Sequence, residues 1–182
     1  MPKFYPLKVK DLYKDTEQCS VIEFDIPEDL KDKFKYKAGQ YLTLRETLNG
    51  EDIRRSYSLC SSPIDDEWKV AVKQIPDGKF STHVNQFLKK DDTLQVMKPM
   101  GRFGTAISEI PKNYIVFTAG SGITPILSMI KTHLAKEPNS TFKLFYLNRT
   151  VKTIIFKEEI EQLRNQYFGR LEVFYFLTKE SR

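Results

Sequence analysis

Cysteine and histidine are scarce in this chain of 182 residues, with two of each. Cys19 and Cys60 stand far apart and in no Cys-x-x-Cys spacing. By themselves they cannot ligate an iron–sulfur cluster, and they read as small buried residues of a reducing compartment. His83 and His133 are not grouped with carboxylates or cysteines in a metal-ligand spacing, so no metal site is assigned. No apolar run is long enough to span a bilayer, and the start Met1-Pro2-Lys3-Phe4-Tyr5 lacks the apolar stretch of a secretory leader. These absences predict a cytoplasmic protein without a membrane partner. A basic run with interleaved aromatics is missing too, because the charges behind the net +5 (Lys+Arg 29, Asp+Glu 24) are scattered along the chain. That argues against nucleic-acid binding and fits a solvated lysine surface or docking to an acidic partner. No internal repeat or low-complexity tract is present.

The length allows one domain or two small ones. Residues 5–106 read as β-rich. Ile22, Phe24 and Ile26 alternate with Glu23 and Asp25, which predicts a half-buried strand ended by Pro27, with 29–37 as a loop. Alternation returns over 40–45, Leu48-Asn49-Gly50-Glu51 is a hairpin turn, and 54–60 is its partner strand. Trp68, Val70 and Val72 mark a strand closed by Pro76-Asp77-Gly78, a short helix covers 81–88, and a strand covers 93–97. Many short strands between turns predict a closed antiparallel barrel or sandwich. Beyond Ala106 the pattern changes to strand, helix, strand, helix, strand. The continuous apolar run 114–117 predicts a strand buried on both faces, and the whole segment predicts a parallel, right-handed crossover unit of the mononucleotide-binding kind. A boundary between Gly104 and Lys112 divides the chain into 1–106 and 107–182.

Four stretches carry chemistry. Arg54-Arg55-Ser56-Tyr57-Ser58 offers two guanidiniums, a broad aromatic face and hydroxyls, which suits an anionic, planar, redox-active ligand such as a flavin dinucleotide. The same residues also suit an edge strand with a solvated arginine and a core tyrosine. Gly78-Lys79-Phe80-Ser81-Thr82 opens a helix whose amides and hydroxyls can hold a phosphate, or simply cap a surface helix. Thr118-Ala119-Gly120-Ser121-Gly122-Ile123-Thr124-Pro125 joins a buried strand to a helix. Its glycines admit close approach of a pyrophosphate, Thr124 can cap the helix, and Pro125 suits the first helical position. The third glycine of the usual dinucleotide fingerprint is absent. After the next strand stand Asn148-Arg149-Thr150, where a carboxylate would favour an unphosphorylated ribose, so NADPH is expected over NADH.

In this order the motifs resemble the ferredoxin–NADP reductase superfamily of flavoproteins, over essentially the whole chain. Within it, Arg54 to Cys60, Val70 to Ile75, Ala119 to Pro125 and Asn148-Arg149-Thr150 are most similar to the reductase components of phenylacetyl-CoA oxygenases (epoxidases). The resemblance implies an antiparallel Greek-key β-barrel that binds FAD, followed by a partial parallel α/β domain (βαβαβ) that binds NAD(P). It implies that Arg55 holds the FAD pyrophosphate with Ser56 beside it. Tyr57 would pack on the isoalloxazine and Ser58 would bond near flavin N5, the two being the expected catalytic residues. Lys73 and Ile75 would line the flavin site, Gly78, Lys79, Phe80, Ser81 and Thr82 would form its phosphate turn, and Gly101-Arg102-Phe103 would leave the barrel. Gly120, Ser121, Gly122, Thr124, Pro125, Asn148 and Arg149 would hold the nicotinamide nucleotide.

The implied activity is transfer of electrons from NAD(P)H through FAD to an iron–sulfur centre, with an oxygenase component and a ferredoxin-type domain as acceptors. The sequence ends at Arg182, after the third parallel strand. The remaining nucleotide-domain strands with a Cys-Gly-Pro segment, and a C-terminal [2Fe-2S] domain, are expected outside it, and an uncovered sheet edge predicts lower stability, self-association and poor seating of the nicotinamide, with little or no turnover. Two further readings are a non-catalytic flavin or nucleotide-binding regulatory module and a small protein-interaction barrel. A general ferredoxin or flavin reductase is a separate alternative.

Overall fold

The computed structural model describes residues 3–180. The terminal pairs, on which the readings of Met1-Pro2 and of the end at Arg182 rest, lie outside the described residues. The first strand, β1 (Phe4–Thr16), had no counterpart in the sequence reading. It is the longest strand, yet charged residues and register shifts at Val9/Asp11 and Lys14/Thr16 break its alternation. It pairs with β2 (Cys19–Asp25) and with β6 (Thr93–Met97).

Between them come β3 (Tyr41–Leu48), β4 (Glu51–Ser58) and β5 (Lys69–Lys73), giving the antiparallel order β4-β3-β6-β1-β2-β5. An isolated bridge from Leu59 to Val70 joins the end of β4 to β5 and closes the Greek-key barrel. Asn49 and Gly50, at φ 51° and 80°, make the expected β3–β4 turn. Leu7, Ile22, Phe24, Leu42, Leu44 and Val96 are among the side chains that fill the interior. Segment 29–37, expected as a loop, contains the short helix α1 (Lys31–Phe34). Buried Phe34 anchors it, and the Trp68 indole donates to the Phe34 carbonyl at 2.7 Å.

The helix α2 (Lys79–Gln86) lies between β5 and β6. After the barrel, β7 (Asn113–Ala119), α3 (Ile123–Lys136), β8 (Thr141–Asn148), α4 (Lys157–Gln166) and β9 (Leu171–Leu177) form a parallel sheet ordered β7-β8-β9. Phe142, Leu144 and Tyr146 of β8 pack with both helices. The other face carries Ile115 and Phe117, 64% and 73% exposed, so β7 is not buried on both faces. Both helices lie on the same side, as successive right-handed crossovers in one direction require. On the open side Phe117, Phe145 and Phe174 stack at 4.8 and 4.9 Å.

The two sheets share apolar packing. β2, expected to be half-buried, is buried from Cys19 to Phe24. Ile22 and Phe24 enter the barrel interior, while Cys19 and Val21 join Ala71, Ile123 and Leu127 in the second cluster. Polar contacts fix the same junction. The Ser128 hydroxyl donates to the Ser61 carbonyl at 2.6 Å, and the Ser62 and Thr132 hydroxyls share a bond at 2.7 Å. Asp15 accepts the N–H of Phe156, a residue held left-handed at φ 59°, at 2.9 Å. His133, assigned to no metal site, bonds Glu137 one helical turn on, at 2.8 Å. No described helix is long and apolar enough to cross a membrane.

Candidate functional site

β4 pairs with β3 in unbroken register from Leu48–Glu51 to Tyr41–Ser58 and is the terminal strand of the six. Beside it lies a cleft of about 900 Å³. Three motifs remote in sequence converge there: Arg55 to Ser58 on β4, Gly78 to Ser81 at the start of α2, and Ser121, Gly122, Thr124 and Pro125 at the start of α3. Lys73 and Ile75, at and beyond the end of β5, complete the wall. Alternation alone would send Ser56 and Ser58 away from Arg55 and Tyr57. The cleft wraps an end strand, so residues from both faces reach it.

Only one of the two expected guanidiniums is available. Arg54 bonds Asp52 at 2.6 Å and lies 5.4 Å from the centre of the Phe4 ring, whereas Arg55 lines the cleft and donates to the Arg54 carbonyl at 2.7 Å. Ser56 shares a hydroxyl bond with Thr43 at 2.9 Å. Tyr57 stacks on buried Phe80, with ring centres 5.9 Å apart, and burial pushes its phenol up to about 12. It therefore stays a neutral donor with a broad apolar ring throughout the ordinary pH range.

The Gly78 turn needs its glycine, because a β-carbon there would lie 2.4 Å from Ser81 Oγ and 2.5 Å from Ile75 Cγ1. Ser81 stiffens the turn, accepting from the Ile75 N–H at 3.3 Å and donating to the Gly78 carbonyl at 3.1 Å. The first amides of α2 have no partner within the helix and suit an anion. Lys79 is committed to Glu51, with both carboxylate oxygens at 2.7 Å. Thr82 does not reach this cleft; it lines a neighbouring groove with His83 and Phe87.

A smaller cleft of about 370 Å³ is lined by Gly120, Ser121, Asn148, Arg149, Thr153 and Thr178, among others. It shares Lys73 and Ser121 with the first. A β-carbon on Gly120 would sit 3.7 Å from the Lys73 ammonium, so this barrel lysine reaches the loop of the parallel sheet. Gly120, at φ 51°, turns its carbonyl inward to accept from the Tyr146 hydroxyl at 2.9 Å and from the Ile123 N–H. The peptide is planar and trans, so the Ser121 N–H points the opposite way.

Thr124 does not cap α3 and Pro125 is not its first residue. A tight turn over Gly120–Gly122 runs straight into the helix, which starts at Ile123, and the Thr124 hydroxyl donates back to the Ser121 carbonyl at 3.1 Å. The Asn148 side chain, 7% exposed, carries an amide nitrogen with no hydrogen-bond partner. A buried donor left unpaired costs about 1–3 kcal/mol.

Sequence reasoning missed Tyr146, hidden as a single hydroxyl within an apolar run. It also missed the rim carboxylates Glu51, Asp52 and Asp77, which turn residues signal only indirectly. Together the clefts offer two helix starts, the cations Arg55 and Lys73, and an aromatic wall at Tyr57. Such an arrangement fits an elongated ligand with an anionic middle and a flat ring at one end, next to a second nucleotide.

Residues 6–104 match the family profile of the oxidoreductase FAD-binding domain and 116–182 that of the oxidoreductase NAD-binding domain. One component of the 1,2-phenylacetyl-CoA epoxidase of Escherichia coli (strain K12) is 37% identical, covering 100% of this chain and 51% of the relative. The ferredoxin reductase component of a Rhodococcus rhodochrous 3-ketosteroid-9-alpha-monooxygenase is 38% identical over 94% of this chain and 48% of its own length. The chain thus spans about half the length of these curated relatives. Among solved structures, the FAD/NAD-binding domain of a nitric oxide dioxygenase from Vibrio cholerae O1 biovar El Tor superposes with a TM-score of 0.82 at 25% identity. That match covers 100% of this chain and 77% of the other.

Proposed function

The chain belongs to the family of oxidoreductases with an FAD-binding domain, and from that premise we propose that it seats FAD in the larger cleft, draws reducing equivalents from NAD(P)H bound at the smaller one, and serves an oxygenase system. The observation that carries this reading is the convergence of the Arg55–Ser58 strand, the Gly78–Ser81 turn and the Gly120–Pro125 loop on one cleft, with Lys73 at the seam. The residues present fit both nucleotides: the cations Arg55 and Lys73 on the cleft walls, and a buried Asn148 donor with no partner.

Bound FAD would accept a hydride and release electrons singly. Arg55 and the first amides of α2 would hold its pyrophosphate, Tyr57 would cover its ring, and Ser58, beside Tyr57, would donate toward the reacting edge. Ser121 N–H and Lys73 would hold the phosphates of the nicotinamide nucleotide against the flavin. Asn148 and Arg149, with no carboxylate at the end of β8, favour NADPH over NADH. Residues 1–106 would form the flavin domain and 107–182 the nucleotide domain. The name of the Escherichia coli relative supports a phenylacetyl-CoA oxygenase as the system served, and that of the Rhodococcus relative supports a ferredoxin as acceptor.

The test is the visible spectrum of the purified chain with added FAD, before and after anaerobic NADPH. A bound flavin band is the expected result, and its bleaching by NADPH would establish a working nicotinamide site. A band that NADPH and NADH leave unchanged would point instead to a non-catalytic flavin module, and no flavin binding by folded protein would refute the reading.

A further inference from the structure

Asp15 stands near the end of β1, in the barrel, and lines neither cleft. It is half-buried, and burial lifts its carboxyl above the ordinary range against the pull of the Phe156 N–H. Glu158 and Glu159 of α4 repel it as well. A carboxylate in so unfavourable a place needs a compensating contact. Its contact is the Phe156 N–H, 2.9 Å away and 141 residues further along the chain.

Phe156 is 3% exposed and left-handed, a conformation that a bulky residue keeps only where its surroundings over-determine it. It is the N-cap of α4, and its own side chain offers no acceptor. Asp15 takes the part that an acidic residue of the first turn plays in a capping box, but from the other unit of the molecule.

The corner it holds leads to the smaller cleft by two routes. Along the backbone, segment 150–156 runs back to Thr153 and Arg149, which line that cleft. Thr150 and Thr153 stiffen this strap by exchanging bonds at 3.1 and 2.9 Å. Through space, the carbonyl of Ile155 accepts from the Tyr146 hydroxyl at 3.3 Å, and the same hydroxyl bonds the Gly120 carbonyl at 2.9 Å. Tyr146 and Ile155 are wholly buried, so the relay has no solvent-filled slack.

We propose that Asp15 is a positioning residue for the nicotinamide-nucleotide site. By fixing the Ile155–Phe156 corner from the barrel side, it holds Tyr146 against Gly120 and so keeps the Ser121 N–H aimed into the smaller cleft. The inference rests on the reading of that cleft as the nucleotide site. A plain helix cap would serve α4 alone, whereas this contact makes the barrel complete a site built on the parallel sheet.

The test is amide hydrogen exchange of the whole chain, followed by mass spectrometry, with NADPH titrated calorimetrically into the FAD-loaded protein alongside. Asp15→Ala should speed exchange about tenfold at 153–156 and at 119–124, while the flavin turn at 78–82 stays within about twofold. Asp15→Asn keeps an acceptor oxygen in place and should restore wild-type exchange at both segments. Ser128→Ala removes a different bond between the two units, the one to the Ser61 carbonyl, and should leave both segments within about twofold. If Asp15→Ala fails to fold, Asp15→Ser replaces it. Its oxygen lies one bond further back, and at least about threefold faster exchange is expected.

Faster exchange confined to the start of α4 would make Asp15 a cap only and overturn the proposal. So would equal loosening of 78–82, or an Asp15→Asn variant as loose as Asp15→Ala. NADPH should bind Asp15→Ala about tenfold more weakly, with FAD affinity unchanged. Loosening at 119–124 in a chain whose wild type binds no NADPH would refute the nucleotide reading of the cleft and leave the Asp15 relay standing.

Discussion

Replacing Glu137 by glutamine should destabilise the protein at neutral pH and matter progressively less in acid. Glu137 is 2% exposed. It accepts the Ser108 N–H at 2.8 Å, the Tyr114 hydroxyl at 3.1 Å on both oxygens, and His133 Nδ1 at 2.8 Å, tying the connector between the two sheets to the end of α3. Burial alone would push its carboxyl up, but Ser140, Ser108, His133 and Tyr114 outweigh it and hold the group down from 4.5 to about 2.

A depressed native value means that the unfolded chain binds the proton first as pH falls. The stabilisation is therefore complete above about 4.5 and is lost between there and about 2. The size of the drop corresponds to about 3 kcal/mol. At roughly 2–4 °C per kcal/mol for a chain of this length, Glu137→Gln should lower the Tm at pH 7 by about 6–12 °C. Scanning calorimetry of both proteins from pH 7 to pH 3 measures it. Identical Tm values at pH 7, or a gap that stays constant down to pH 3, would refute the reasoning.

Other substitutions probe the clefts and the turn at Gly39. Gly39→Ala forces a side chain onto φ 92° and into the Phe103 carbonyl, so a loss of about 3 kcal/mol in urea titration is expected, and an unchanged midpoint would contradict the close approach. Tyr146→Phe removes the donor to the Gly120 and Ile155 carbonyls, at 2.9 and 3.3 Å. It should cost about 1–3 kcal/mol and weaken NADPH binding by isothermal titration more than FAD binding. Asn148→Ala removes an unpaired buried donor, so the free protein should melt no lower than wild type while NADPH binding drops by about tenfold. A large fall in Tm without a change in binding would show Asn148 to be structural.

The barrel, the crossover unit and most of the cleft lining could be read from the sequence because each rests on a local signal. The Asn49-Gly50 turn, the alternation of β3 and the glycines at 78, 120 and 122 all act within a few residues. What escaped depends on contacts between remote segments. β1 was invisible because its irregular register and many charges erase the period of two. β2 looked half-buried because its sequence alternates, but a strand pressed between two clusters needs only small apolar residues such as Cys19 and Val21 on the second side. From residue type alone Arg54 could not be told from Arg55, which only the family resemblance singled out; Asp52 and Phe4 supply the physical reason, because they hold Arg54 elsewhere. Thr124 looked like a cap because a tight turn that continues directly into a helix leaves no mark in the residues themselves.

β2 carries a consequence for the molecule's stability. A strand with one face in the barrel and the other under α3 belongs to neither unit alone. Cutting the chain at its connector would strand Cys19, Val21 and Ala71 in water on one piece and Ile123 and Leu127 on the other. Each piece would then carry an uncovered apolar face, so the two units gain part of their stability only as a pair.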